Sequence, residues 1–442
     1  MKKGIALFIA LMVLFTSVPA FSMAEEKPVT ITFWAAWSLD AGMADMIAGF
    51  EAAHPEIHVE YVKYSNSDEG NIAADVALMA GDGIDMIINY GLKRLVPRSE
   101  KGLFEPLNAY AASTGYDVQT ENGDPAFFIG DQYYGLPVGG EASVIAINGY
   151  YLDKAGLELP PADWTIDDYL SYARAMTFGE GQDKVYGDVS NHNLNTTWYS
   201  TIARGALGPN YWYKEDGTSN FDAPAFRTAL DFFLTMENEG LSFPYTEYKS
   251  TGMTNFNVFV TGQAAMGFTG NSIIRTVVNA ESVPEGFKCY FAKLPHIEGE
   301  QNYLGGINPF DYLSMCANIS DEKKAACWTF MEWLATEGNV WLASIAHIPS
   351  WKGVSKEDVV QKLIGSGAGA ERIDRDTLMH VVLDYDAPIT YDTNLTGYSQ
   401  LYTLCGEYGE LAILGDMSAE EALSELKYEA DRVLVELNEE NQ

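Results

Sequence analysis

Residues 31–62, ITFWAAWSLDAGMADMIAGFEAAHPEIHVEYV, decide the fold. The stretch opens on an apolar, aromatic run that suits a strand. Met43, Met46, Ile47 and Phe50 then fall at i, i+3, i+4 and i+7, one apolar helix face, and Pro55 stops the run. Ile57, Val59 and Tyr61 alternate with His58 and Glu60, as a half-buried strand does. Ile72, Val76 and Met79 repeat the helical spacing, Gly81–Gly83 turns the chain, and IDMIIN (84–89) reads as a short buried strand. Strand, helix, strand, helix, strand predicts a parallel sheet with crossover helices.

Farther along, helix starts are marked by their own chemistry. Thr165 with Asp168, and Ser418 with Glu421, have the capping-box spacing; Pro224 suits a first turn; Ser320 precedes Asp321 and Glu322, acids favoured at a helix N-terminus. Ile364–Ile373 (IGSGAGAERI) reads as a flexible loop. No strand leads into its glycines, so it is not a dinucleotide fingerprint.

The chain has 442 residues, more than one hydrophobic core usually serves, so two domains are expected. Residues 1–24 have the make-up of a secretory signal peptide: two lysines, an apolar run of roughly 15 residues, and small residues at Ser22 and Ala24. The mature protein is expected in the periplasm or secreted. The first of four cysteines is Cys289, so no cysteine at the cleavage point is expected to carry a lipid. Four wide-spaced cysteines allow three pairings or buried free thiols, and none forms a C-x-x-C zinc motif. A formal charge of −35 repels nucleic acid and anionic lipid, so neither is an expected partner.

The chain holds no G-x-S-x-G, H-E-x-x-H, Walker or calcium-loop motif, and Pro55 keeps His54 and His58 off a shared helix face. No enzyme, metal or cofactor is therefore expected. Aromatic and amide residues do gather at predicted loop positions: Trp34, Trp37, Tyr64, Asn89, Tyr90, Trp198, Tyr199, Asn271, Asn308 and Trp351. Aromatic faces stack on sugar C–H faces, and amides and carboxylates bind hydroxyls, so the set suits a neutral hydroxyl-rich ligand.

The order of segments resembles the sugar-binding branch of the extracellular solute-binding proteins that serve ABC importers. ITFWAAW and FEAAHPEIHVEYV are similar to that family's first strand, helix and second strand. NIAADVALMAGDGIDMII is similar to the next helix and strand, with Asp85 at the acidic position. GDQYYGLPVGGEASVIAINGYYLDKAGLELPPADWTIDDYLSYARAM carries the most specific resemblance, and FVTGQAAMGFTGNSI and IPSWKGV follow in order. Where many members carry Trp after Gly-x-Ala-Ala-Met, this chain has Asn271 and Ser272.

The resemblance implies a two-lobed α/β periplasmic-binding-protein fold of type II, each lobe a mostly parallel sheet flanked by helices, the lobes joined by a hinge. Residues 25–141 and 308–351 would form the first lobe, and 142–307 and 352–442 the second. It implies capture of a mono- or oligosaccharide between the lobes by a monomer that delivers it to ABC permease subunits. Trp37, Ser38, Tyr64, Asn89, Tyr90, Glu141, Trp198, Asn271, Asn308 and Trp351 would contact ligand. Trp37 lies at the ligand end of the first strand, and strand alternation turns Trp34 into the core. The strong acidity raises polyamine or other cation capture as an alternative, and a secreted carbohydrate-active enzyme is the alternative of another class.

Overall fold

Val29–Ala35 (β1) buries Ile31, Phe33 and Ala35 and pairs in parallel with Ile57–Lys63 (β2) and Met86–Tyr90 (β3). Parallel neighbours need a crossover between them, supplied by the helices Met43–Ala53 (α1) and Asp68–Ala80 (α2). The computed structural model describes residues 27–37, 42–81, 83–122, 128–129, 131–190, 197–387 and 392–440. The candidate signal peptide and Ser38 lie outside them.

Helix α1 buries Met43, Met46 and Phe50, as its spacing predicts. Helix α2 forms where expected but is turned over. Ile72, Val76 and Met79 are exposed, and Asn71, Ala74 and Leu78 face inward. The reason is Arg98 on Leu92–Glu100 (α3), whose buried guanidinium reaches Asp75 at 2.6 Å, Asn89 at 2.8 Å and Asn71 at 3.1 Å. A buried charge left without such partners costs several kcal/mol, roughly 3–5, which is comparable with what leaving the three apolar side chains outside forgoes.

Phe128–Ile129 (β4) and Gln132–Tyr133 (β5) form a small hairpin. Leu136–Asn148 (β6) then runs through both halves of the molecule. Its first residues pair antiparallel with Ile307–Met315 (β10), and Ser143–Asn148 pairs antiparallel with Ala264–Gly270 (β8) and Cys289–Ala292 (β9). Tyr186–Asp188 (β7) pairs in parallel with β8, and Ile348–Pro349 (β11) pairs with Gly139 and Gly140 of β6. The strand order is β2-β1-β3-β10-β6-β8-β7. Parallel pairing thus lies at the two ends of the sheet, and the strands that cross between lobes run antiparallel.

Residues 31–138 and 312–345 build one hydrophobic core; two more, drawn from 145–304 with 401–434 and from 142–307 with 343–383, fill the other half. Both capping boxes form as expected. All four cysteines are free and buried, and burial pushes the Cys316 thiol up to about 12. Ile364–Ile373 is no loose loop. Ala368–Arg372 is a short 3-10 turn, and Gly369 sits so close to Val278 that a Cβ would lie 1.9 Å from its carbonyl oxygen. Only glycine admits that approach.

Candidate functional site

Strand β6 crosses between lobes through PVGGEAS (137–143), and glycine in a strand interior marks a place where something comes close. A Cβ on Gly139 would lie 2.5 Å from Asp311 Oδ2, and one on Gly270 of β8 would lie 2.6 Å from Glu141 Oε1. The two glycines seat two carboxylates at the crossing. Asp311 is fully buried and pairs with Nδ1 of His347, a residue just ahead of β11. Its Oδ1 has no hydrogen-bond partner among the described residues. Burial works against protonation of His347, but the charges of Asp311 and Glu141 outweigh it and raise its pKa.

Glu141 is half-buried, and burial raises its pKa against the opposing pull of His347. It lines a cavity of about 420 Å³. The side chains of Ser143, Ser190, Thr197, Ser200, Thr201, Thr269 and Ser272 line this space, with the Asn255 amide and the rings of Phe256 and Phe268. Among the described residues that line it none is Lys or Arg. Ser200 and Thr201 come from a π-helical turn, Tyr199–Ala203, a distortion often found at functional sites. Such a lining offers many donors and acceptors, one charge and two apolar rings. It fits a polyhydroxylated neutral molecule better than an anion or a polycation.

Of the residues expected to touch ligand, Glu141 lines this cavity. Asn308 is half-buried and lies opposite Glu141 in the β6–β10 register. Asn271 borders the cavity through its neighbours but is spent on structure: Oδ1 accepts from the Ala142 amide at 3.1 Å and Nδ2 donates to the Ala346 carbonyl at 2.9 Å. It ties β6 and β8 to the left-handed Ala346 (φ 65°) ahead of His347.

The structure places the others elsewhere. Trp37 is buried edge-on against Phe33 and His347, each ring 5.8 Å away, while Trp34, expected in the core, is half-buried and donates to the Gly83 carbonyl at 3.0 Å. The alternation holds, but the face that Phe33 buries also takes Trp37. Tyr64 donates to the Ile88 carbonyl at 2.9 Å, Tyr90 accepts from the Ala36 amide at 2.7 Å, and Asn89 is locked between Arg98 and Ser314; all three are buried. Trp198 is wholly buried against Tyr199 and Phe226. Trp351 donates to Glu121 at 2.8 Å. Asp85 is held by Lys323 at 2.7 Å and the Thr32 amide at 2.8 Å, so it adds no charge to the cavity.

The hydroxyl lining leaves no pattern in the sequence, because its residues come from four separated segments and follow no period. The one local signal was the run TTWYST (196–201), whose Ser and Thr flank the buried Trp198 and Tyr199. Among the described residues no group of three His, Cys, Asp or Glu could hold a metal ion, and no helix is long and apolar enough to cross a membrane.

Two α/β lobes joined by crossing strands, with a hydroxyl-lined cavity beside the crossing, define a hinged ligand-binding protein. The family model for bacterial extracellular solute-binding proteins matches residues 36–341, and the chain belongs to that family. A curated binding protein of Brucella abortus (strain 2308) is 24% identical over 282 residues, 64% of this chain; the match spans 65% of that relative's length. The ABC substrate-binding protein of Listeria monocytogenes, solved in complex with cycloalternan, is similar over 92% of this chain and 99% of its own, with a TM-score of 0.74 and 19% identity. The sugar-binding protein MalE of Xanthomonas citri is similar over 92% and 98% of the two chains, with a TM-score of 0.71 and 20% identity.

Proposed function

We propose that this protein is the substrate-binding component of an ABC importer, capturing a mono- or oligosaccharide and handing it to the permease subunits without chemical change. The observation that carries the reading is the cavity beside the crossing strands: seven hydroxyls, one amide and a single carboxylate, without a basic residue among its described lining. Family membership and the sugars bound by proteins of the same fold support it. The reading includes an exported, monomeric protein whose lobes divide near residues 141, 307 and 351. Glu141 accepts from ligand hydroxyls, and Asn308 stands beside it.

A ligand that binds only the folded protein adds about 2.7 kcal/mol at 100 times its Kd, enough to raise Tm by a few degrees. A panel of neutral mono- and oligosaccharides should contain one that does so and is recovered intact. If spermidine shifts Tm and no saccharide does, the ligand is a cation; if the saccharide is cleaved, the protein is an enzyme. Glu141→Gln keeps shape and removes the charge. Because burial disfavours the ionised form, the fold should hold its stability, while titration calorimetry should show saccharide affinity weakened roughly 10- to 100-fold by loss of a charged acceptor.

A further inference from the structure

Apart from the crossing strands, the lobes meet at a second place. Asn210 is one of two non-glycine residues with positive φ among the described residues (56°). From that conformation its amide donates to Asp392 Oδ1 at 2.6 Å, its Oδ1 accepts from the amides of Thr393 and Asn394 at 2.7 and 2.8 Å, and its Nδ2 donates to Thr393 Oγ1 at 3.0 Å. Asp392 also pairs with Arg204 at 3.3 Å, and Tyr213 donates to the Thr396 carbonyl at 2.9 Å. Residues 392–396 are thereby fixed to the second lobe. Leu395 nevertheless packs against the first lobe's core.

Gly397 (φ 65°) then turns the chain into the helix Tyr398–Leu414. Tyr402 in that helix is partly exposed, and Lys93 of α3 in the first lobe holds its ammonium 5.7 Å from the ring centroid. The same ring meets Tyr199 edge-on at 6.2 Å and 89°. Tyr199 opens the π-helical turn that sends Ser200 and Thr201 into the cavity. A continuous chain of contacts thus runs from the first lobe, through the 392–402 segment, to the cavity wall.

We propose that residues 392–402 are a strap that holds the lobes together, with Leu395 and the Lys93–Tyr402 contact as positioning residues that set the balance between open and closed forms. They touch no ligand. The strap acts on affinity because binding strength falls in proportion to the fraction of molecules able to bind. The effect on affinity rests on the binding reading above; the effect on lobe geometry does not.

The test uses the full chain labelled at two introduced cysteines, one per lobe, at the exposed positions Glu69 and Glu285, with the interlobe distance distribution measured without ligand. Lys93→Ala and Leu395→Ala should each move it to longer distances, and the double variant further. Lys93→Arg, which keeps a cation over the ring, should restore the wild-type distribution. A saccharide that binds the wild type should bind the double variant roughly 5- to 20-fold more weakly. A shifted distribution in a protein that binds no saccharide supports the strap and overturns the sugar reading. An unchanged distribution in Lys93→Ala, an exposed substitution that should not disturb folding, overturns the strap.

Discussion

Replacing His347 by alanine should destabilise the protein by about 3–5 kcal/mol, because it leaves Asp311 as a buried carboxylate with no cation against it. Asp311 cannot swing away. Gly139 backbone lies against it, Tyr90 is close enough for its phenol to be raised in part by the Asp311 charge, and Oδ1 already lacks a partner among the described residues. The charged groups that act on His347 are Asp311 and Glu141, which favour its protonation, and Arg275, which opposes it. Its folded pKa is raised above the unfolded value of about 6.5, so the imidazolium's contribution is complete below that pH and is lost as pH climbs through the folded value. Urea denaturation at pH 6.5 and pH 9 should therefore show the gap between wild type and His347→Ala shrinking at the higher pH. A gap that stays constant would mean that the ring serves Asp311 as a neutral hydrogen-bond donor.

Where a residue's fate is decided by its neighbours in sequence, the sequence could be read. The period of Met43, Met46 and Phe50 sets the buried face of α1, and the Thr165–Asp168 and Ser418–Glu421 caps close within three residues. Helix α2 was legible as a helix but not as to its face, which depends on Arg98 arriving from α3 and needing Asn71 and Asp75 inside. Asn89 looked like a ligand amide at a strand end; it is claimed by Ser314, 225 residues away in sequence. The same holds for Tyr64 and Tyr90, since a phenol meeting a main-chain group some 24 or 54 residues away in sequence leaves no local trace. Glu141 is reached from the sequence only through the family resemblance; the structure sets it in the crossing strand itself, beside glycines that make room for carboxylates. Its partners in the cavity are not reached from the sequence at all.

Trp37→Ala should cost about 3–5 kcal/mol of stability, the scale for emptying a core site of a large ring, and should leave the affinity of the folded fraction nearly unchanged. The ring is 3% exposed, sits edge-on to Phe33 and His347, and does not line the cavity. The main-chain carbonyl of Trp37 is also pinned, by Tyr61 Oη at 2.6 Å, so the backbone cannot easily collapse into the space left behind. Trp37→Phe separates volume from polarity. The indole Nε1 has no partner among the described residues, so phenylalanine keeps much of the packing and removes a buried donor that is already unsatisfied. It should cost well under half as much as alanine. Trp34→Ala, at a half-buried ring whose indole donates to Gly83, should cost less than Trp37→Ala. Denaturant midpoints with saccharide titrations on the same samples decide the matter. If Trp37→Ala kept its midpoint and lost affinity, the ring would be a ligand platform and the strand's two faces would have to be exchanged; if Trp34→Ala proved the costlier change, Trp34 rather than Trp37 would be the ring that closes the core.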